Sequence, residues 1–214
     1  MSTLIVHGGL PSPFVRKTLI CLEEKRIPYE LRPLTPFPKT PELLAMNPFG
    51  RIPILQDGDF MLPDSSAIAL YLEKTHPSPA LFPSDPREYG RALFLEEYAD
   101  TRVVAGTSPA LFQGLIRPMF FKQPGDPALV DKALAEELGP ALDWLEPRVR
   151  RLGFETRRMT WLDAAGVEKG NLIGRLGPDE PGGLALVGHT DCVPFDPDWG
   201  EALSGAVRDG KLRY

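Results

Sequence analysis

The sequence predicts a small α/β domain of order β-α-β-α-β-β-α, followed by an all-α segment and a short α/β fragment. Short apolar strands alternate with helical periodicity over residues 1–76, prolines cluster over residues 77–88, and strand-like segments return after about residue 151. The chain has 214 residues, which is long enough for more than one hydrophobic core. Proline is the compositional outlier, since 24 prolines are about twice the usual share of roughly 5%.

The first strand and helix have clear start signals. Residues 3–7 (TLIVH) form a short β-branched, apolar strand that Gly8 and Gly9 end. Ser12 suits the N-cap of the following helix and Pro13 its first position. The apolar residues of that helix recur on one face, at Val15, Leu19 and Leu22.

The rest of residues 1–76 supplies two further helices, a second strand and a hairpin. Residues 29–34 form the second strand, and TPELLAMNP is a short helix that stops at Asn47 before Pro48. The turn Asp57-Gly58 lies between strands 54–56 and 60–62, which predicts a hairpin. A helix with a capping side chain follows, with one face formed by Ile68, Tyr71 and Leu72.

The second half of the chain is predicted with less regularity. Two amphipathic helices cover residues 88–104 and 128–146, and a proline- and glycine-rich stretch interrupts them. Beyond residue 151, GNLIGRL and GLALVGHTD are short strands. Strands that follow helices this late indicate a third, unrelated unit.

Charge and hydropathy exclude several classes of function. A net charge of −5, a pI near 5.3 and the lack of like-charge blocks predict neither a nucleic-acid partner nor an anionic membrane. The N-terminus has no basic leader, and no apolar run approaches the roughly 18 residues of a membrane span. Cys21 and Cys192 are far apart and favour reduced thiols, so the expected location is the cytoplasm.

Three motifs give the first half of the chain a resemblance to the glutathione transferase family. SPFVRK resembles the start of that family's first helix, NPFGRIP its segment before a cis-proline, and PDSSAIALYL its γ-glutamyl-binding turn. The resemblance implies a thioredoxin-like domain at residues 1–76, a linker at 77–85 and a truncated helical domain at 86–147. It also implies glutathione as co-substrate and a homodimer through the helical domain.

The resemblance implies specific roles for residues of these motifs. Ser12 would stabilise the glutathione thiolate, although an ordinary N-cap would look the same in sequence. Pro53 would be cis and leave the Ile52 backbone open to the peptide, with an edge-strand proline as the alternative. Asp64 and Ser65 would bind the γ-glutamyl carboxylate, unless they only cap their helix.

Other site residues are implied by their position relative to these motifs. Lys39 and Arg51 could meet the glycyl carboxylate, although most single surface cations are solvated. The electrophile would lie between the two domains. Its apolar wall, or equally a core, is formed by Phe14, Phe112, Met119 and Phe120.

The last part of the chain resembles the start of acetylornithine deacetylase-like two-zinc hydrolases. The segments GNLIGRLGP, GLALVGHTDCVPFD and VRDGKL carry this resemblance over residues 148–214. His189 would be a vestigial metal ligand, with Asp191 behind it. No functional metal is expected, because a zinc site needs three or four protein ligands and the remaining histidines, His7 and His76, lack ligand spacing.

The sequence therefore supports three functional hypotheses. The leading one is a glutathione transferase-like protein that conjugates the glutathione thiolate to an electrophilic small molecule. The others are a glutathione-binding module without catalysis, and an inactive fragment of a metal-dependent amidohydrolase.

Overall fold

The computed structural model describes residues 3–162, 168–175, 186–189, 207–208 and 211–212, with side chains described for residues 3–158. The chain divides after Glu96 into two compact units. None of the helices in the described ranges is both long enough and apolar enough to cross a membrane.

A four-stranded mixed sheet forms the centre of the first unit. The strands have the order β2-β1-β3-β4, with β1 and β2 parallel and the other pairs antiparallel. The predicted order β-α-β-α-β-β-α is confirmed. The elements are β1 (Leu4–Gly8), α1 (Pro13–Glu24), β2 (Tyr29–Pro33), α2 (Pro41–Met46), β3 (Ile54–Asp57), β4 (Phe60–Pro63) and α3 (Ser65–Thr75).

The core of this unit lies between the sheet and helices α1 and α3. Alternate residues of β1 are buried, as expected for a strand with one covered face. Leu22 of α1 and Leu72 of α3 are fully buried against them, and Ile68 confirms the predicted face of α3. The principal cluster comprises Leu4, Val6, Leu22, Ile27, Leu55, Ile68 and Leu72.

A buried lysine joins the carboxyl ends of α1 and α3. The Lys25 side chain is completely buried, and its ammonium pairs with the Glu73 carboxylate at 2.6 Å. It also donates hydrogen bonds to the carbonyl oxygens of His76 at 2.7 Å and Pro79 at 2.9 Å. Burial alone would raise the pKa of Glu73, but the hydrogen bonds from Lys25 and the Leu81 N–H lower it overall. Every ammonium proton thus has an acceptor, which is the condition for burying a charge.

Substitution Lys25→Met should destabilise the protein strongly. Methionine keeps the apolar stem but leaves the Glu73 carboxylate and two carbonyl oxygens without their donor. We expect the free energy of unfolding to fall by about 3 kcal/mol, measured by urea denaturation. Lys74→Met, at an exposed neighbouring position on α3, is the control and should change it by less than about 0.5 kcal/mol. Equal effects of the two substitutions would contradict this account.

Beyond α3 the chain is helical far longer than the sequence predicts. The α-helical elements are α4 (Pro86–Tyr98), α5 (Val104–Leu111), α6 (Arg117–Phe121), α7 (Pro127–Ala133) and α8 (Gly139–Arg151). Wider π-helical turns join them at Ala99–Val103, Phe112–Ile116 and Leu134–Leu138. The backbone leaves the helical region only around Lys122, which has a left-handed φ of 55°.

The predicted interruption after residue 104 is therefore wrong up to residue 121. Pro109 lies inside α5, between two π-helical segments. A proline removes one i→i−4 hydrogen bond, and a π turn shifts the register of the bonds around it. The helix consequently continues where the composition indicated a break.

Two helical segments of the second unit come into close contact at Gly106. A Cβ atom added to Gly106 would lie 2.5 Å from the Leu138 Cβ and 2.7 Å from its Cα. Further along, the Tyr98 ring stacks on Trp144 with ring centroids 4.2 Å apart. The Tyr98 hydroxyl donates to the Ala141 carbonyl oxygen at 3.0 Å. Absence of a side chain at Gly106 is therefore a packing requirement.

Two glycine-to-alanine substitutions in this helical segment should change the free energy of unfolding in opposite directions. Gly106→Ala forces Cβ against the backbone of Leu138, so we expect a loss of about 1 to 3 kcal/mol in unfolding free energy. At Gly114 nothing lies within 4 Å of an added Cβ, so Gly114→Ala should stabilise by up to about 1 kcal/mol. Thermal unfolding followed by circular dichroism checks both. Stabilisation by Gly106→Ala would show that the close approach is incorrect.

Short antiparallel strands follow α8. Strands β5 (Glu155–Leu162), β6 (Glu168–Arg175) and β7 (Leu186–His189) form a three-stranded sheet in that order. β6 and β7 match the two predicted strands, whereas β5 was not predicted. β8 (Val207–Arg208) pairs with β9 (Lys211–Leu212).

A buried glutamate fastens β5 to α8. Glu146, 7% exposed, accepts hydrogen bonds from Arg150 at 2.7 Å, from the Thr156 hydroxyl at 2.8 Å and from Arg158 Nε at 2.6 Å. Arg158 also pairs with the Asp143 carboxylate at 2.7 Å. Burial would raise the pKa of Glu146, but the bonds from Arg158 and Thr156 and the charge of Arg150 lower it overall. We call these groups the Glu146 clasp.

The Glu146 clasp should make stability depend on pH. Because its pKa is lowered on folding, Glu146 stabilises the fold above the usual carboxyl pKa, and the contribution is lost as pH falls below it. Glu146→Gln should therefore lower unfolding free energy by about 1 to 3 kcal/mol at pH 7 and by less at pH 4. Asp143→Asn, on an exposed partner of Arg158, is the control and should have a smaller effect at pH 7. A Glu146→Gln effect that does not change with pH would contradict the charged clasp.

Candidate functional site

The strand register brings several chain segments to one edge of the sheet. β1 has Gly8 opposite Pro33 of β2 and His7 opposite Ile54 of β3. β3 pairs with β4 so that Ile54 also lies opposite Pro63. The residues that follow β1, β2 and β4, and those that precede β3, therefore emerge at the same edge, which we call the site edge. The segments there contain the predicted residues Ser12, Lys39, Arg51, Ile52, Pro53, Asp64 and Ser65.

Ser12 caps α1 through its hydroxyl oxygen, which leaves the hydroxyl proton available to donate. Its Oγ accepts a hydrogen bond from the Val15 N–H at 3.3 Å, and its own N–H donates to the Gly9 carbonyl at 3.0 Å. A serine hydroxyl that accepts a bond still has a proton to donate. The N-cap interpretation and the thiolate-donor interpretation are thus compatible. At this position the hydroxyl also lies at the positive end of the helix dipole.

The turn before β3 is shaped by Asn47, for which the sequence predicts only the end of α2. Asn47 is 2% exposed, donates to the Arg51 carbonyl at 2.8 Å and accepts from the Phe49 N–H at 3.0 Å. The Ile52–Pro53 peptide bond that follows is cis, as the resemblance implied. Within the described residues no hydrogen bond involves the backbone of Ile52. An asparagine directly before a proline was the available signal.

At the start of α3, Asp64 already occupies part of the helix terminus. Its Oδ1 accepts from the N–H groups of Ser66 and Ala67, each at 3.0 Å. Asp64 has a φ of 81°, which is strained for a residue with a side chain, and such strain often occurs at functional sites. Ser65 is 3% exposed, and its hydroxyl has no hydrogen-bond partner among the described residues. Capping by Asp64 is therefore observed, whereas the hydroxyl of Ser65 is left for another partner.

The two predicted cations differ in how firmly they are held. Lys39 donates to the Phe49 carbonyl at 3.1 Å, and its stem packs where a Cβ of Gly50 would stand, 2.8 Å from its Cδ. Gly50 has a φ of 61°, so a glycine suits this position on two grounds. Arg51 is exposed. Both lie beside the turn that leads into Ile52.

The predicted apolar wall is distributed over both units. Phe14, at the start of α1, is half-buried in the first unit. Phe112, Met119 and Phe120 of the second unit are 37%, 40% and 42% exposed. These three side chains are partly exposed on that unit. Whether they and Phe14 form an apolar wall or belong to a core stays a prediction.

Comparison with known proteins identifies the family. Residues 7–80 match the family model described as Glutathione S-transferase, N-terminal domain. A probable glutathione S-transferase of rice (Oryza sativa subsp. japonica) is 34% identical over 158 residues, which are 72% of this chain and 73% of the rice protein. The chain belongs to the glutathione S-transferase family. Its N-terminal unit has the thioredoxin-like fold of these transferases, as the sequence predicted.

A solved transferase structure supports the same relationship. Glutathione S-transferase-I with bound lactoylglutathione is 32% identical, with a TM-score of 0.59, over 70% of this chain and 72% of that one. The similarity thus covers most of both chains. The family assignment therefore extends beyond the N-terminal domain model.

A second similar protein is of a different kind. An acetylornithine deacetylase of Myxococcus xanthus is 45% identical over 75 residues, which are 34% of this chain but only 20% of the deacetylase. His189 ends β7, and its side chain lies outside what the structure describes, as does the whole of Asp191. The predicted vestigial metal ligand stays a prediction.

Proposed function

We propose that this transferase-family chain binds glutathione along the site edge and adds its thiolate to an electrophilic small molecule. The observation that carries the proposal is the half-used hydroxyl of Ser12 at the start of α1. The lactoylglutathione bound to a transferase of similar sequence supports a glutathione-type ligand.

The chemical requirement is to keep the glutathione sulfur as a thiolate. A free thiol has a pKa near 8.5, and lowering it by two units takes about 2.7 kcal/mol of preferential stabilisation of the anion. The Ser12 O–H would donate to the sulfur, while the Val15 N–H donates to the same oxygen. The α1 dipole adds to the effect, because it too favours negative charge at this end.

The remaining parts of glutathione would bind to backbone groups and charged side chains of the protein. The N–H and C=O of Ile52 are available for pairing with an extended peptide, as in strand addition. Because Asp64 occupies two N–H groups of α3, a γ-glutamyl carboxylate would use the Ser65 N–H and hydroxyl. Lys39 and Arg51 would meet the glycyl carboxylate.

Variants at Ser12 should separate thiolate stabilisation from helix capping. Ser12→Ala should lower kcat/KM for conjugation of glutathione to a generic aryl halide by about 100-fold, since the donor is lost. Ser12→Asp keeps an acceptor for the Val15 N–H but offers no donor, so it should be as inactive as alanine while unfolding like the wild type. Ser12→Thr, which retains the hydroxyl, should keep most of the activity.

A second capping residue supplies the control. Thr40 caps α2 through its hydroxyl, which accepts from the Leu43 N–H at 3.2 Å. Thr40→Ala therefore removes a cap without touching Ser12 and should leave kcat within about twofold. Full activity of Ser12→Ala would refute the assigned role. Glutathione binding by the wild type without any turnover would instead select the non-catalytic binding module.

The proposal also includes the second substrate, the oligomeric state and the domain limits. Phe14, Phe112, Met119 and Phe120 stay the proposed contacts of the electrophile, and we propose a cytoplasmic homodimer through the helical domain. We also propose the domain limits 1–76, 86–147 and 148–214, the last derived from a deacetylase. The 45% identity to a deacetylase over 75 residues supports the origin of that last segment.

A further inference from the structure

A polar cluster between three helices lies next to the proposed glutamyl end of the site. Lys17 of α1 donates to the Ser66 hydroxyl of α3 at 3.2 Å and forms an ion pair with Glu96 of α4. The Ser66 hydroxyl in turn donates to the Glu96 carboxylate. The side chains of Lys17 and Glu96 are only 22% and 20% exposed. We call these three residues the Lys17 network.

The Lys17 network uses the polar groups of Ser66 and spares those of Ser65. The Ser66 N–H is taken by Asp64, and its hydroxyl both accepts from Lys17 and donates to Glu96. Its neighbour Ser65 keeps a hydroxyl with no partner among the described residues. The first turn of α3 is thus held in place through Ser66. Ser65, which is proposed to contact the ligand, takes no part in these bonds.

The network also ties together the two ends of the proposed site. Lys17 follows Ser12 on α1 by five residues, and Ser66 follows Ser65 on α3 by one. α1 and α3 pack against each other, with Leu22 and Leu72 fully buried in the core. The charged hydrogen bonds of the network add a further restriction on the position of α3 relative to α1, because their lengths and angles have a narrow range. The spacing between the thiolate donor and the carboxylate site follows from that restriction.

We propose that the Lys17 network positions the first turn of α3 relative to α1 and thereby sets the affinity of the site for glutathione. This rests on the proposed function of the site edge. Lys17, Ser66 and Glu96 are positioning residues, since Ser65 and Ser12 are the groups that would touch the ligand. The network governs binding of glutathione rather than the chemical step at its sulfur.

The test compares two variants of the network with a neighbouring control. Lys17→Met keeps the stem and removes the charge, whereas Ser66→Ala leaves the Lys17–Glu96 ion pair intact and removes only its link to α3. Arg16→Met removes an adjacent exposed cation and should behave like the wild type. For each full-length protein, glutathione affinity is measured by titration calorimetry, kcat and KM with an aryl halide, and thermal stability by calorimetric scanning.

The expected signature is a change in KM without a change in kcat. Both network variants should raise Kd and KM for glutathione about tenfold, with kcat at saturating glutathione within about twofold of wild type. Lys17→Arg should restore most of the affinity. Ser66→Ala should reach this result without a loss of thermal stability, which keeps the test valid where Lys17→Met folds poorly.

The outcomes separate this proposal from the one on which it rests. A wild-type protein that does not bind glutathione would overturn both. Wild-type binding with unchanged affinity in Ser66→Ala and Lys17→Met would overturn the positioning role alone. A fall in kcat with KM unchanged would also overturn it, because the network would then act on the chemical step.

Discussion

The register of β3 against its two neighbours is the constraint on which the candidate site depends. Ile54 lies opposite His7 on one side and Pro63 on the other, and Ile54, Leu55 and Val6 are all fully buried. A slip of one residue would turn the side chains of β3 to the wrong face. It would also displace Ile52 from Ser12 and Ser65, which arrive from the neighbouring strands. Hydrophobic burial in the sheet thus fixes the geometry of a polar site whose own residues contribute little to that burial.

Local signals made the first unit predictable. Ser12 and Pro13 mark the start of α1, Asp57-Gly58 the hairpin, and Asp64 the cap of α3, and each needs only a few neighbouring residues to act. Local signals are misleading at residues 105–121, where prolines and glycines predict an interruption but Pro109 lies inside α5 between two π-helical segments. Proline disfavours a helix interior, but the π-helical turns next to Pro109 allow the helix to continue.

Interactions between distant residues could not be predicted in this way. Lys17 and Glu96 are 79 residues apart, and Lys25 lies in an EEK sequence that resembles any solvated helix end. Nothing local indicates that one of these cations is buried and another bridges three helices. The Glu146 clasp shows the same limit, since Glu146 and Thr156 lie on opposite sides of the domain boundary that the sequence predicts after residue 147. In the fold they share a hydrogen bond. The boundary predicted from sequence resemblance therefore separates residues that are in contact in the structure.

The complete burial of Lys25 makes its amine a reporter of breathing motions. An amine-reactive reagent can reach this group only when the carboxyl ends of α1 and α3 separate, because its side chain has no exposed surface in the closed fold. Exposed lysines such as Lys74 would be labelled at once. The ratio of the two labelling rates therefore gives the equilibrium constant for opening this layer, provided that reclosing is fast compared with labelling.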